Sequence, residues 1–347
     1  MDERKQQVLR AIVTLYTNDG EPIGSHLLSE YMDLAVSTAT LRNEMAALTR
    51  LGLLEQPHTS AGRVPSGAGY RYYIDHLMST GTLTPRQTAE IDARFAAFDY
   101  DPPRLVAQAA KALSEQTGLM VAATTPRAED IRIAHFQITQ VGRSTAAVLA
   151  VTSAGGVLTR VARTDADLTE EDIRTATVLV NRALAFLTPV DVSPAILQGL
   201  QLAFGERAAA LMPVARAAAL LVQEAGSAVT AVEGIANLLP YPETNARLAQ
   251  LLEFSSDHDR LARSITPPGD RLAVTLGSDS ESDLPAGVAV MARRYMAGNG
   301  LRGGMAIIGP DRMAYGKLSP ILEYYTLRLG QAMSGSRQAN NQNGDWT

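Results

Sequence analysis

The first 78 residues of this 347-residue chain change their hydrophobic period in a fixed order, and that order constrains the fold. Apolar residues first recur at helical spacing, then form two short runs bounded by turn residues, and then recur at helical spacing again. The predicted elements are helices over 3–18, 25–32 and 37–51 with a tight connection at 33–36, strands over 53–58 and 64–65 around the turn 59–63, and a helix over 67–78. This order predicts a winged helix-turn-helix.

The third of these helices carries side chains suited to contact base edges. At roughly 100° per residue, one face is apolar and the opposite face carries small residues with Asn43 and Arg50. Asn can form two hydrogen bonds with an adenine edge, Arg can do the same with guanine, and hydroxyls at a helix N-terminus suit phosphates. The predicted contacts from this helix are Ser37, Thr38, Thr40, Arg42, Asn43 and Arg50. An amphipathic helix exposed only to water has the same pattern, so the helix alone leaves both interpretations open.

The turn over 59–63 is small and presents an arginine beside a histidine. Such a turn is typical of a wing that reaches a minor groove or a phosphate, although an ordinary hairpin loop is the alternative. The predicted contacts from the wing are His58, Ser60 and Arg63. Three tyrosines in the following helix, Tyr70, Tyr72 and Tyr73, are predicted to pack it against the wing rather than to stack on bases.

The charge of the chain does not by itself favour nucleic-acid binding. The formal net charge is −5, and seven basic against nine acidic side chains leave the first 78 residues at −2. Between Arg42 and Arg71, however, there are four arginines and only two glutamates. If this segment binds DNA, its positive charge must therefore be focused on one face.

The remainder of the chain predicts an α/β domain with another domain inserted into it. Helices are expected over 85–98 and 103–118, and strands begin at Ile131 and return at 272–276, 288–291 and 305–308 on the far side of a helix-rich block. The predicted domains are 1–80 for the winged helix, 81–166 with 263–333 for the α/β domain, 167–262 for the helix-rich insert, and 334–347 for a disordered tail. The fold class is thus α+β and multidomain.

Several classes of protein are disfavoured by what the sequence contains. There are no cysteines, and the five histidines have no metal-ligand spacing, so we expect no disulfide, no metal and no cofactor. No nucleophile–base pattern or phosphate loop is present, and we do not expect an enzyme. The N-terminus is polar and no window has 18 apolar residues without a charge, so we expect a cytoplasmic protein with no membrane partner, associated with the nucleoid when bound to DNA.

The segment from Gly20 to Asp75 resembles the heat-inducible transcription repressors of the HrcA family. The residues that carry the resemblance are Gly20–Ser25, Val36–Met45, Leu51–Pro65 and Gly69–Asp75, and a second patch, Ile308–Tyr315, resembles the C-terminal signature of that family. The match over 20–75 is long and almost contiguous. Between the two regions the chain shares the pattern of the family rather than its motifs.

The resemblance implies three domains: a winged helix, a GAF-like domain and a dimerisation domain inserted into the GAF-like one. It also implies repression of chaperone operons through an inverted-repeat operator called CIRCE, and a GroE chaperonin partner that keeps the repressor active. A homodimer would present two recognition helices to two inverted half-sites, and would hide the apolar faces of the insert. The alternative is a winged-helix repressor gated by a small molecule in its GAF-like domain.

Overall fold

The computed structural model describes residues 1–32, 37–58, 61–127, 131–153, 156–188, 191–225, 229–298 and 301–334. The predicted connection at 33–36, Thr59 and Ser60 of the predicted wing turn, and the tail beyond 334 lie outside these ranges. The chain forms two compact units. The first contains Met1–Pro126, Val229–Gly298 and Arg302–Thr347, and the second contains Arg127–Ala228 with Asn299–Leu301.

The N-terminal part of the first unit has the predicted order of elements. It comprises α1 (Glu3–Asp19), α2 (Ser25–Met32), α3 (Thr38–Arg50), β1 (Leu54–Glu55), β2 (Val64–Pro65) and α4 (Gly67–Tyr72), which continues as a π-helical turn, Tyr73–Leu77. Strands β1 and β2 pair antiparallel, with Leu54 opposite Pro65. Helix α1 ends at Gly20, whose φ of 71° lies in the left-handed region that glycine adopts without strain. The described residues therefore have the element order of a winged helix-turn-helix.

Two helices and a strand follow the winged helix in the segment Met1–Pro126 of the first unit. Helices α5 (Pro85–Ala96) and α6 (Pro102–Thr117) match the predicted positions, and α5 begins with a capping box formed by Thr84 and Gln87. Strand β3 (Met120–Thr124) was not predicted. All five of its residues are buried, so it has no alternation of polar and apolar positions to reveal a strand.

The second unit is a three-stranded sheet covered by helices. Strands β4 (Ile133–Gly142), β5 (Thr145–Thr152) and β6 (Val157–Arg163) pair antiparallel in the order β4-β5-β6. Helices α7 (Glu170–Leu184), α8 (Pro194–Phe204) and α9 (Ala208–Ala225) follow, and α7 and α9 pack on the sheet. The Asn181 side chain fixes α7 to β4 because it donates to the Phe136 carbonyl and accepts from the Phe136 amide, both at 2.8 Å.

One stretch of this unit passes a simple test for a membrane-crossing helix. Residues Pro194–Ala225 are long and apolar enough by composition, but they comprise two helices joined by the 3₁₀ turn Gly205–Arg207. In the most apolar window, 61% of the residues are buried inside the protein. Helix α9 contacts β4, β5 and β6, so its apolar side chains serve the core of the second unit.

The chain then returns to the first unit and completes a five-stranded sheet. The returning elements are β7 (Thr230–Glu233), a 3₁₀ turn (Ile235–Leu238), α10 (Pro242–Asn245), α11 (Leu248–Ser256), α12 (His258–Ile265), β8 (Ala273–Leu276), β9 (Val288–Met296), β10 (Arg302–Pro310) and α13 (Tyr315–Met333). The strand order is β7-β3-β10-β9-β8, with all neighbours antiparallel. Helices α6, α12 and α13 pack on this sheet, which leaves β3 and β10 buried along almost their whole length.

The division into units differs from the predicted domain boundaries. The predicted insert was 167–262, whereas the second compact unit begins at Arg127 and ends at Ala228. Strands β4 to β6 were assigned by sequence to the same domain as the later strands, but within the described ranges they pair with one another and not with those strands. Residues from 229 onward belong with the first unit because β7 pairs with β3. Both boundaries of the second unit follow from which strands pair with each other, and the hydrophobic period does not show that pairing.

Candidate nucleic-acid interface

Helix α3 turns its polar face to solvent, as its periodicity predicts. Leu41, Met45 and Leu48 are buried, whereas Asn43 and Arg50 are exposed. These three buried side chains pack in the core beside residues of α1 and α2, so rotation of α3 about its axis would expose them. The packing therefore fixes which face of α3 meets solvent, and that face carries Asn43 and Arg50.

The N-terminus of α3 uses two of the predicted hydroxyls for its own cap. Ser37 is the N-cap residue, and its Oγ accepts the Thr40 amide hydrogen at 3.1 Å. The same Oγ lies 3.0 Å from Thr40 Oγ1. Thr38 is exposed, whereas Thr40 is half-buried. Ser37 and Thr40 thus order the first turn, and the Thr38 hydroxyl faces solvent beside them.

Arg42 is oriented by a residue that sequence analysis did not select. Its Nε donates to Ser25 Oγ at 3.1 Å, and Ser25 is the first residue of α2. A guanidinium held through Nε keeps both terminal nitrogens available for a planar, two-point contact. The sequence did not predict this role for Ser25, because a contact between residues 17 apart produces no signal in the hydrophobic period.

Arg63 lies at the base of the wing rather than at its tip. Its backbone pairs with Ile23 through two hydrogen bonds of 2.9 Å, and its Nε donates to Thr49 Oγ1 of α3 at 3.1 Å. The adjacent Gly62 permits this approach, since a Cβ at that position would lie 2.4 Å from the carbonyl group of Ile23. Sequence analysis expected Arg63 to stand beside His58 in the turn; the structure places its half-buried side chain against α3 instead. His58 is exposed, and Ser60 lies outside the described residues.

Three of the arginines in α3 and the wing carry charges that no carboxylate in the described part of the chain neutralises. Within the described ranges, no carboxylate lies within salt-bridge distance of Arg42, Arg50 or Arg63. Glu44, the one acidic residue of α3, pairs with Lys5 Nζ at 3.2 Å. The fourth arginine of the predicted cluster, Arg71, pairs instead with Asp279. Three arginines of the predicted cluster thus remain without a carboxylate partner among the residues that the structure describes, and the α1 lysine pairs with Glu44.

The tyrosines of α4 and its π-helical extension were predicted to pack against the wing, whereas their side chains lie near α1 and α2. Tyr70 is buried, and Tyr73 is half-buried. The Tyr72 hydroxyl accepts from Gln6 Nε2 of α1 at 3.4 Å. These side chains therefore attach α4 and its π-helical extension to the helical core. Among the described residues, no three of the His, Asp and Glu side chains cluster in a way that could hold a metal ion.

Comparison with known proteins places the whole chain in one family. Residues 104–318 match the family described as HrcA protein C terminal domain. Heat-inducible transcription repressors HrcA from Desulforudis audaxviator and Moorella thermoacetica are 31% and 32% identical, each over 96% of this chain and 98% of the relative. A crystal structure of a hypothetical protein, 24% identical, superposes with a TM-score of 0.58 over 96% of this chain and 99% of that chain, which supports the fold.

The family match covers more than half of the chain, and the relatives cover nearly all of it. The exposed face of α3 agrees with a regulator that binds DNA. The chain belongs to the HrcA family of heat-inducible transcription repressors.

Proposed function

We propose that this protein represses heat-shock chaperone operons by binding duplex DNA through α3 and the wing. The observation that carries the proposal is the exposed face of α3, with Asn43 flanked by arginines that no carboxylate among the described residues neutralises. Asn43 would read an adenine edge, Arg42 and Arg50 a guanine edge or a phosphate. The other proposed contacts are Ser37, Thr38, Thr40, His58, Ser60 and Arg63. The role is that of a cytoplasmic, non-enzymatic regulator without a cofactor.

The proposed operator is a CIRCE-type inverted repeat bound by a homodimer. A two-fold dimer presents one α3 to each inverted half-site. The second unit, proposed as the dimerisation domain, supplies apolar surface for this contact: Val157 and Val161 on β6 are 60% and 64% exposed. These two side chains point to the same side of an edge strand, since residues four apart on a strand share a face. A second copy of the chain would cover them. Within the first unit, the five-stranded sheet and the helices that pack on it would then form the GAF-like domain.

The proposed regulatory partner is the GroE chaperonin. Membership of the HrcA family supports this proposal. Under heat shock, unfolded proteins would occupy the chaperonin. The repressor would then no longer be kept active, and the operons would be transcribed. The repressor would therefore report the free capacity of the chaperonin.

A second candidate mechanism is gating by a small molecule. A cleft of about 560 Å³ lies between α1, residues 79–83 and the start of α13, within the size range of ligand pockets. Hydroxyl and amide side chains such as Thr14, Asn18 and Gln87 line it together with Tyr73. A ligand in this cleft would contact both the winged helix and the start of α13.

Fluorescence anisotropy at physiological salt tests the proposed function. We expect a CIRCE-type repeat to bind at least a thousandfold tighter than scrambled DNA, as specific recognition requires, and chaperonin to raise the active fraction. Equal and weak binding to both DNAs with chaperonin present would contradict the proposed operator. Specific binding that responds to a metabolite extract but not to chaperonin would favour the second mechanism.

Asn43→Ala tests the assignment of the recognition face. We expect it to weaken operator binding by about 1–3 kcal/mol and to relax specificity at one base position, because a two-point contact to one base is lost. Competition against operators substituted at each position measures both effects. Glu30→Ala, at an exposed position of α2, is the matched control and should leave binding unchanged. Unaltered operator affinity for Asn43→Ala would show that this face does not read bases.

Ser25→Ala tests whether Ser25 positions Arg42. We expect operator binding to weaken about fivefold, roughly 1 kcal/mol, because the hydrogen bond to Arg42 Nε is lost. Arg42→Ala should weaken it more, and the double variant should bind like Arg42→Ala alone. Additive losses in this cycle would mean that Ser25 acts independently of Arg42. Circular dichroism of each variant controls for loss of α2.

Val161→Glu tests the proposed dimer surface. We expect dimer dissociation to increase more than tenfold, because a carboxylate would be placed in an apolar contact, and operator affinity to fall as the second half-site is lost. Sedimentation equilibrium and anisotropy measure the two effects. Val229→Glu, at a valine of the first unit that is 53% exposed, is the control. A Val161→Glu protein that stays dimeric at the wild-type concentration would exclude this face of β6.

A further inference from the structure

The winged helix is attached to the five-stranded sheet of the first unit through a set of charged side chains. Arg71 of α4 donates from Nη2 to Asp279 Oδ2 at 2.5 Å and to the Val274 carbonyl of β8 at 2.8 Å. Its Nε lies 3.4 Å from Asp279 Oδ1. Asp279 is itself fixed, because its Oδ2 accepts the Leu276 amide hydrogen at 2.8 Å. This pair binds α4 to the end of β8.

A second ion pair supports the junction from the other side. Arg312, which follows β10, donates from Nε to Glu243 Oε1 of α10 at 2.5 Å, and its guanidinium lies over the Tyr241 ring at 5.1 Å. The end of α1 rests on the same guanidinium, since a Cβ at Gly20 would lie 3.0 Å from Arg312 Cζ. The winged helix therefore meets the rest of the first unit at two points: Arg71 pairs with Asp279, and Gly20 lies against Arg312.

Two polar groups buried at this junction have no hydrogen-bond partner among the described residues. They are Asp311 Oδ1 and the hydroxyl of Tyr70, whose residue is only 3% exposed. Burial first, and then the nearby Asp279 and Glu243, raise the pKa of Asp311 to about 7. Burial likewise raises the pKa of Tyr70 far above its usual range. Asp311 as a residue is half-buried, and its buried oxygen, Oδ1, has no donor to stabilise a negative charge. With Asp279 and Glu243 nearby, the neutral form of this carboxyl is favoured.

Titratable and charged groups face Asp311 from every element of the junction. Helix α4 contributes Tyr70, the loop after β8 contributes Asp279, and α10 contributes Glu243. Tyr315 of α13 lies near both Asp311 and Arg71. Its chain neighbour Arg312 is engaged with Glu243, and Arg71 is engaged with Asp279. The Tyr315 hydroxyl of α13 donates to the Asp311 backbone carbonyl at 2.7 Å, not to its carboxylate. Both arginines are thus committed to other carboxylates, and ionised Asp311 would have no cation of its own.

We propose that this junction is a proton-sensitive latch: the arginine pairs hold the winged helix against the sheet while Asp311 is neutral, and ionisation of Asp311, which adds an unpaired carboxylate at the junction, releases it. Release would expose Asp311 to water, where its pKa returns toward the ordinary 3.8. Between pH 3.8 and 7 the docked form keeps a proton that the released form has lost, so docking weakens as the pH rises through this range and is constant above it. Linkage predicts an approximately thirtyfold fall in the docking equilibrium constant from pH 5.5 to 8. This property concerns the free protein and does not depend on the proposed operator.

Distance measurement on the full-length protein tests the latch. The chain has no cysteine, so Glu30→Cys on α2 and Lys111→Cys on α6 give two unique labelling sites on exposed helical positions away from the junction. Single-molecule energy transfer between the two dyes reports the docked and released populations from pH 5.5 to 8. We expect the released fraction to increase with pH in the labelled parent and to be low and independent of pH in Asp311→Asn. Asp270→Asn is the matched control and should behave as the parent, because Asp270 is an exposed carboxylate paired with Arg294, and this pairing lowers its pKa.

Each result decides for or against the latch. A released fraction that rises with pH equally in the parent and in Asp311→Asn would assign the effect to another group and overturn the proposal. A parent with no pH dependence would also overturn it. Should Asp311→Asn fail to fold, ¹³C NMR of the unsubstituted protein provides the second measurement: an aspartate carboxyl that titrates near pH 7 supports the latch, and titration of all aspartates below pH 5 contradicts it.

Discussion

The burial of the apolar face of α3 is the constraint on which the proposed DNA interface depends. Leu41 and Leu48 are almost completely buried, and exposing both side chains would cost several kcal/mol, about 1.5–3 for each. No contact to DNA has to fix the rotation of α3, because the hydrophobic core has already done so. The opposite face can therefore carry Asn43 and Arg50 without any internal partner that binding would have to displace.

Polar side chains of neighbouring elements then refine this surface. Ser25 of α2 holds Arg42, Thr49 of α3 holds Arg63, and Lys5 of α1 pairs with Glu44. Each of these contacts restricts a long side chain or neutralises an unfavourable charge on the proposed DNA-facing side. Ordering a side chain before binding reduces the conformational entropy that association must overcome. Three elements of the winged helix thus order side chains of the proposed DNA interface, on a domain whose formal charge is negative.

In the first unit, the winged helix is attached to the five-stranded sheet through ion pairs, beside a carboxyl group with a buried oxygen, and not through apolar packing alone. The ion pairs of Arg71 with Asp279 and of Arg312 with Glu243 are stronger when water is excluded from them, and their strength depends on the charges nearby. Such a junction responds to protonation, whereas apolar packing would not. The second unit contains a different kind of ion pair. The Asp172 carboxylate caps α7 and pairs with Arg207, and this pairing holds the pKa of Asp172 well below its usual range. Asp172 therefore stays ionised, and this contact persists, over the pH range in which Asp311 changes its protonation.

Local periodicity and motif determined the order of helices and strands in the winged helix, the buried face of α3, the α+β class and the family. These features follow from which residues are apolar and how they are spaced, and both are written in the sequence. Tertiary structure alone decided that β4 to β6 form a separate sheet, that β3 and β7 exist, that Ser25 meets Arg42, and that Arg63 rests on Thr49. Those features depend on pairing between segments distant in the chain. A strand buried on both faces, or a hydroxyl that meets an arginine 17 residues away, has no period for the sequence to display.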